Sequence, residues 1–332
     1  MAFRADGGRE SGLGHVRRCL ALAAALSPSA HAIFFLHGSD IAAALVRQAG
    51  IDCRPIGASA TELARALEGL DADALVVDAY SLAPAAMAAG AYRPLIVVDD
   101  SGRFPVPGDV VVNSALGLQA PDGTATRYLL GPAFALLAPA FAQPPVRSWN
   151  AAVRRVLLTL GGATAAPATA SLAAAVRAAV PGALVDVVVG PVGDSAAAVE
   201  SALGDAAGVV VQRAPADLRP LMLAADLAVS AGGVTLLELA ATATPTVAVA
   251  AAANQQANLL GLARLDAIRR AGGLDEAAAV GAAVAALAAE PAQRRALGER
   301  ARQVVDGGGA ARVAAAVRAA LATHPVGGAA AC

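Results

Sequence analysis

Twice along this chain a short apolar run leads into a glycine-rich loop and then an alanine-rich helical stretch. The two segments are "AFRADGGRESGLGHVRRCLALAAAL" at 2–26 and "RRVLLTLGGATAAPATASLAAAV" at 154–176. A strand that hands over to a helix in this way returns to its sheet as a parallel neighbour through a right-handed crossover. The runs that follow are short, rich in β-branched residues and continuously apolar, as strands buried on both faces are. In the first half they predict strands at 2–5, 32–36, 74–78, 94–99 and 109–113, with helices at 15–26, 39–49, 61–69 and 83–90. In the second half, strands at 184–190, 208–212, 226–230 and 246–250 follow the one that opens near 154. The expected class is α/β, with two Rossmann-like, doubly wound parallel-sheet domains facing a cleft. "FAQPPVRSWN" at 141–150, with two prolines and the only tryptophan, marks the linker. It sets the domains at 1–147 and 148–322, with a flexible tail at 323–332.

With 57% hydrophobic but only 3% aromatic residues, the core must be built from Ala, Val and Leu. The apolar runs are broken by Arg, Asp, Gly or Pro before they reach the roughly 20 residues of a membrane span. A soluble, cytoplasmic protein is expected, a monomer or homodimer. A net charge of −1 and the lack of a basic stripe interleaved with aromatics argue against nucleic acid as a partner. Cys19, Cys53 and Cys332 form neither a disulfide framework nor a zinc ligand set. "MAFRADGG" carries no charged lead followed by an apolar core, so no secretory signal is read.

Ligands of open parallel sheets lie beyond the carboxyl ends of the strands, so the loops there carry the candidate chemistry. Gly12 and Gly14 permit close backbone approach, and the helix after them offers free N–H groups to an anion. His15 stands at that helix start, either as a general base whose protonated form the helix dipole disfavours or as a simple cap. In "VVDAYS" Asp78 ends a buried strand, as a turn acid satisfying backbone N–H groups or as a site residue, and Tyr80 follows it in the loop. Asp99 and Asp100 end another strand and read as solvated turn acids, since adjacent strand residues point to opposite faces. In "VSAGGVTLLELA", Ser230, Gly232 and Gly233 make an entrance suited to phosphate, and Glu238 follows on the helix, as a ribose ligand or as a cap. Asn254 is placed as a helix N-cap, and Gln255, Gln256 and Asn258 add amides suited to sugar hydroxyls.

The order of "FRADGG", "GLGHVRRCLALA", "VVDAYSL", "VVDD", "VVNSAL", "YLLGPAFALL", "LLTLGGA", "AGGVTLLELAATATPTVAVA" and "NQ" resembles that of the pseudaminic-acid pathway nucleotide-sugar hydrolases. Related spore-coat polysaccharide proteins share it. The resemblance covers about residues 2 to 265 and implies a glycosyltransferase-B type fold, as in the lipid II N-acetylglucosaminyltransferase. It implies release of UDP from a UDP-diacetamido-trideoxy sugar by C1–O cleavage, with no metal and no cofactor. The substrate and product partners are then the UDP-sugar and UDP. By position it puts the catalytic base at His15, with Tyr80 and Asn254 lining the same active site and Glu238 contacting the ribose. The matched motifs also carry Arg4, Asp6, Arg18, Asp99, Asn113, Gly161 and Gly162. These are expected among the substrate-binding residues with Gly12, Gly14, Asp78, Ser230, Gly232, Gly233 and Gln255. One departure is Thr164, where the family commonly has an acid after Gly-Gly-Ala. A glycosyltransferase using the same site, or a non-catalytic nucleotide-sugar-binding paralogue, are the alternatives.

Overall fold

The computed structural model describes residues 1–9, 11–27, 29–83, 94–100, 105–161, 165–192, 194 and 196–323. The chain divides into two compact units, Met1–Pro139 together with the residues from Gly308 onward, and Ala140–Gly307.

The first unit is built on seven strands: β1 (Ala2–Gly7), β2 (Ile33–Gly38), β3 (Asp52–Pro55), β4 (Leu75–Asp78), β5 (Leu95–Val98), β6 (Val110–Asn113) and β7 (Arg127–Leu130). All pair in parallel, in the order β3-β2-β1-β4-β5-β6-β7. The strand order reverses between β1 and β4, where Ala5 stands opposite Asp78. The loops after these two strands therefore diverge at a topological switch point, the usual ligand position of such a sheet. Three helices connect the early strands: α1 (Gly14–Leu26), α2 (Asp40–Gln48) and α3 (Ala60–Leu67). Ser39 caps α2, and Ser59 with Glu62 forms a capping box on α3. The start of α1 has no side-chain cap. Gly7 lets α1 and α2 close onto the sheet, since a Cβ there would lie 2.7 Å from both Val16 and Ala42.

The second unit has β8 (Arg155–Thr159), β9 (Leu184–Val189), β10 (Val209–Arg213), β11 (Leu227–Ala231), β12 (Thr246–Ala250) and β13 (Arg269–Gly273). They form a parallel sheet in the order β10-β9-β8-β11-β12-β13, reversing between β8 and β11. Its helices are α4 (Ala166–Ala179), α5 (Ala196–Leu203), α6 (Arg219–Ala224), α7 (Val234–Ala241), α8 (Gln256–Arg264), α9 (Ala277–Ala289) and α10 (Pro291–Val304). Small residues bring α4 and α9 together: a Cβ on Gly281 would lie 3.2 Å from the Ala175 carbonyl oxygen. Val156, Leu158, Val185, Val187, Val229 and Val247 fill the core of this unit almost without aromatics, as the composition demands.

Three strands escaped the sequence reading, β3, β7 and β13. Each lies at a sheet edge and carries charged or polar residues, or Pro or Gly, in place of a continuous apolar run. The segment 83–90, read as a helix, lies outside the described residues from 84 onward.

The domain limits differ from the sequence reading. The first unit ends at Pro139, and α11 (Gly309–Thr323), assigned by sequence to the second domain, belongs to the first. Val313, Ala314 and Val317 of α11 are buried, and Arg318 donates to the Ala25 carbonyl of α1 at 2.8 Å. Gly309 makes the contact with Ala135 possible, since a Cβ there would meet the Ala135 backbone at 2.2 Å. The segment read as a linker is instead fastened to the second unit. Arg147 donates to the carbonyls of Met222 and Ala225 at 2.6 Å each, and Arg294 to those of Asn150 and Ala151 at 2.6 and 2.9 Å. The tail from 324 lies outside the described residues.

Candidate functional site

At the switch point of the first sheet the loops after β1, β4 and β5 bring together five polar side chains. His15, second residue of α1, places Nδ1 2.5 Å from Asp78 Oδ1. Arg18, one turn along α1, grips the same carboxylate with Nε at 2.9 Å and Nη2 at 2.8 Å. Its Nη1 reaches Asp100 at 2.6 Å, and Asp100 accepts the Tyr80 hydroxyl at 2.6 Å. The Tyr80 ring closes the circuit, lying perpendicular to the His15 imidazole with centroids 4.3 Å apart. His15, Asp78 and Arg18 are buried, whereas Tyr80 is 38% exposed.

Burial alone would raise the pKa of Asp78, but the Arg18 and His15 charges and their hydrogen bonds outweigh it, holding the carboxyl at about 2. Burial likewise opposes the charge on Arg18, and the two carboxylates override it and push its pKa up. Asp78 is thus an anion, and Arg18 Nη2 lies 3.0 Å from the same His15 Nδ1 that contacts it. In a neutral imidazole that donates from Nδ1 to Asp78, Nε2 is the acceptor.

These contacts settle several expectations. His15 is not a helix cap, because Leu13 occupies that position and the imidazole faces Asp78. The ring is only 2% exposed, deeper than a base open at a loop mouth would be. Asp99 and Asp100 are not solvated turn acids: Asp99 is buried, and Asp100 bridges Arg18 and Tyr80. Nothing in the sequence pairs Asp100 with a tyrosine twenty positions earlier. Arg4 and Asp6, both buried, pair with each other at 2.8 Å, and Arg4 also reaches the Ser81 hydroxyl at 2.8 Å. Asp6 accepts the Ser81 N–H at 2.8 Å. The pair thus anchors the loop that carries Tyr80. Asn113, at the end of β6, is buried with Oδ1 on the Ala115 N–H and its Nδ2 without a partner. Gly12 adopts φ +69°, a backbone conformation that favours glycine, with open space where a Cβ would stand.

The second sheet presents another set of loops at its own switch point. Gly161 follows β8 at φ +90°, while Gly162 and Thr164 lie outside the described residues. Ser230 lies within β11, fully buried, its hydroxyl donating to the Ala231 carbonyl at 3.0 Å. Gly233 precedes α7 without a side-chain cap, which leaves N–H groups at the helix start, and Glu238 is buried in the second turn. Asn254 is not an N-cap. It lies in a 3-10 turn, Ala253–Gln255, and α8 starts after Gln255. Gln255 Oε1 accepts the N–H groups of Gly232 at 3.1 Å and Ala251 at 3.2 Å, tying the loop after β11 to the loop after β12. A Cβ on Gly232 would lie 2.9 Å from Gln255 Cβ, so the two loops meet closely. Gln255→Leu is expected to destabilise the protein by about 1–2 kcal/mol through these two unmade bonds. Gln255→Glu, which keeps the acceptor, should restore most of the urea midpoint. An unchanged midpoint in the leucine variant would show that the tie carries no stability.

Among the described residues no group of three or more His, Cys, Asp or Glu side chains is placed to hold a metal ion, and no helix is long and apolar enough to cross a membrane. No protein-family model and no curated protein matches the chain. Solved structures do. The Acinetobacter baumannii MurG structure is 15% identical with a TM-score of 0.63, covering 96% of this chain and 99% of that one. The glycosyltransferase VinC in complex with dTDP is 14% identical with a TM-score of 0.66, covering 97% and 100%. Anabaena Alr3699/HepE in complex with UDP and glucose is 14% identical with a TM-score of 0.62, covering 96% and 98%. Two parallel Rossmann-like sheets and full-length likeness to these proteins identify the glycosyltransferase-B fold.

Proposed function

We propose that this chain is an enzyme that binds a UDP-activated acetamido sugar of the diacetamido-trideoxy type and cleaves it by hydrolysis, with His15 as the base. The observation that carries the reading is the 2.5 Å contact between His15 and Asp78. In a neutral ring it favours the proton on Nδ1, the arrangement that orients a catalytic histidine elsewhere. In this scheme His15 Nε2 takes a proton from water, and the water oxygen bonds to the anomeric carbon. The C1–O bond to the diphosphate breaks, and UDP departs with that oxygen. Around His15 two carboxylates, Asp78 and Asp100, stand against one guanidinium, Arg18, so a proton received on the ring balances the group.

The nucleotide is assigned to the second unit. Its glycine loops and the uncapped start of α7 offer N–H groups to a diphosphate, with Asn254 and the Nε2 of Gln255 nearby for the sugar. The bound nucleotides of VinC and HepE support a nucleotide sugar as the class of substrate. With N–H groups to offset the diphosphate charge, the reading needs no metal. A cytoplasmic location is part of the same proposal.

Incubation with a panel of nucleotide-activated acetamido sugars and no acceptor tests the reaction. Equal release of UDP and free sugar, seen by mass spectrometry, is the expected result. The second reading, a glycosyltransferase, draws on the glycosyltransferases among the structures of like fold. It predicts no UDP release until an acceptor is added. Glu238→Ala should weaken UDP binding by about 1–3 kcal/mol if the buried carboxylate holds the ribose. An unaltered calorimetric Kd would remove Glu238 from the nucleotide site.

A further inference from the structure

We propose that Arg18 is a positioning residue for His15, acting through the Asp78 carboxylate that it holds. The two side chains are three residues apart on α1 and so share one face of the helix, with Arg18 Nη2 3.0 Å from His15 Nδ1. Both nitrogens meet at the same oxygen: Asp78 Oδ1 lies 2.8 Å from Nη2 and 2.5 Å from Nδ1. Arg18 Nε donates to the other oxygen, Oδ2, at 2.9 Å. The guanidinium thus grips the carboxylate at both oxygens and fixes its plane. An aspartate held by one contact turns readily, because its terminal torsion has broad wells. Which oxygen Asp78 presents to His15 is therefore set by Arg18. A lone pair on Nδ1 would face the anionic Oδ1, so this placement favours the proton on Nδ1 and leaves Nε2 as the acceptor.

Arg18 is itself steadied at its far end, where Nη1 donates to Asp100 Oδ2 at 2.6 Å. Each of its three nitrogens is engaged within the protein, and the side chain is buried. This gives Arg18 an indirect task in place of the substrate contact that the family resemblance suggests. Charge alone does not account for the arrangement. Burial opposes the charge on Asp78, and the guanidinium is the largest influence offsetting it, which a lysine ammonium would also supply. Only a guanidinium presents N–H groups to both oxygens of one carboxylate and a further one to a second. Arg18→Lys therefore separates charge from geometry. For its effect on turnover the inference rests on the reading of His15 as a base, whereas the state of the ring is read without substrate, so failure of either is seen separately.

The experiment is nitrogen-edited proton NMR of the full chain at mildly alkaline pH. In the wild type the His15 Nδ1 proton is expected far downfield, as befits a short hydrogen bond to a carboxylate. In Arg18→Lys that resonance should move upfield or broaden by exchange with water, while the ring signals of His31 and His37 stay in place. With a turned-over substrate, kcat of Arg18→Lys should fall about 10²-fold, the cost of a small misplacement, at an unchanged KM. A His15 Nδ1 proton missing from the downfield region in wild type, or unmoved in Arg18→Lys, overturns the proposal. So does a raised KM at wild-type kcat, which would put Arg18 on the substrate. Should the lysine variant fail to fold, the wild type decides through Arg18 itself. Its Nη protons, held on both nitrogens, should be resolved and slow to exchange, and averaged, fast-exchanging signals overturn the inference equally.

Discussion

Asp78→Asn is expected to lower kcat for nucleotide-sugar cleavage by about 10⁴-fold, the size of effect that follows when a catalytic histidine is driven into the wrong tautomer. An asparagine at this position keeps the shape and still accepts from Arg18. Its amide nitrogen, however, donates toward His15 Nδ1, which moves the ring proton to Nε2 and removes the acceptor there. Steady-state kinetics with a turned-over substrate checks this, and a kcat near wild type would mean that the 2.5 Å contact is structural only. UDP affinity should not change, because the nucleotide is assigned to the other unit. The same carboxylate leaves a signature in acid. Its pKa falls from the ordinary 3.8 to about 2 in the folded protein. Because the folded value is the lower one, the stabilisation is complete above pH 3.8 and is lost as the pH drops toward 2. It amounts to about 2 kcal/mol. Urea midpoints of wild type and Asp78→Asn should therefore converge across that interval and run parallel above it.

His15→Asn is expected to reduce turnover by roughly 10²–10⁴-fold, the usual contribution of a positioned general base. Calorimetric binding of UDP should be unaffected, and the Asp78–Arg18 pair should survive, since Arg18 Nε donates to Asp78 Oδ2, an oxygen that makes no contact with the ring. A variant that retains wild-type turnover would remove His15 from the chemistry and leave Asp78 and Arg18 as an ion pair of the fold alone. The Asp78 and His15 predictions separate cleanly. If His15 is essential but Asp78→Asn is silent, the tautomer is fixed by something other than the carboxylate.

Most of the fold was legible because its buried strands leave a plain trace. β4, β5, β6, β8, β11 and β12 are covered on both faces, and each appears as a largely apolar run. Three of the four edge strands, β3, β7 and β13, tolerate Arg, Asp, Pro or Gly and so read as loops, whereas the fourth, β10, keeps the apolar run at 208–212. α11 was assigned to the wrong unit for a different reason. Its alanine-rich pattern is that of any helix here, and sequence proximity to α10 outweighed a packing partner nearly three hundred residues earlier, at Ala25. In the candidate site, His15, Asp78 and Tyr80 stood out because they occupy strand ends and loops where ligands are sought. Asp100 did not, since its role depends on two partners that only folding brings to it.

The sequence by itself determined two parallel α/β sheets and the loops at which chemistry should be sought, because strand burial and crossover handedness are local, repeated constraints that composition and period express directly. Only the tertiary structure decided which residues form a working group. Arg18 reaches a carboxylate sixty residues away in one direction and another eighty-two residues away, and Gln255 binds two loops with one oxygen. The Arg18–Asp78 contact arises from the reversal of strand order between β1 and β4, which sets distant chain segments side by side and leaves no periodic signal in either of them, whereas Gln255 joins the loops of the neighbouring strands β11 and β12.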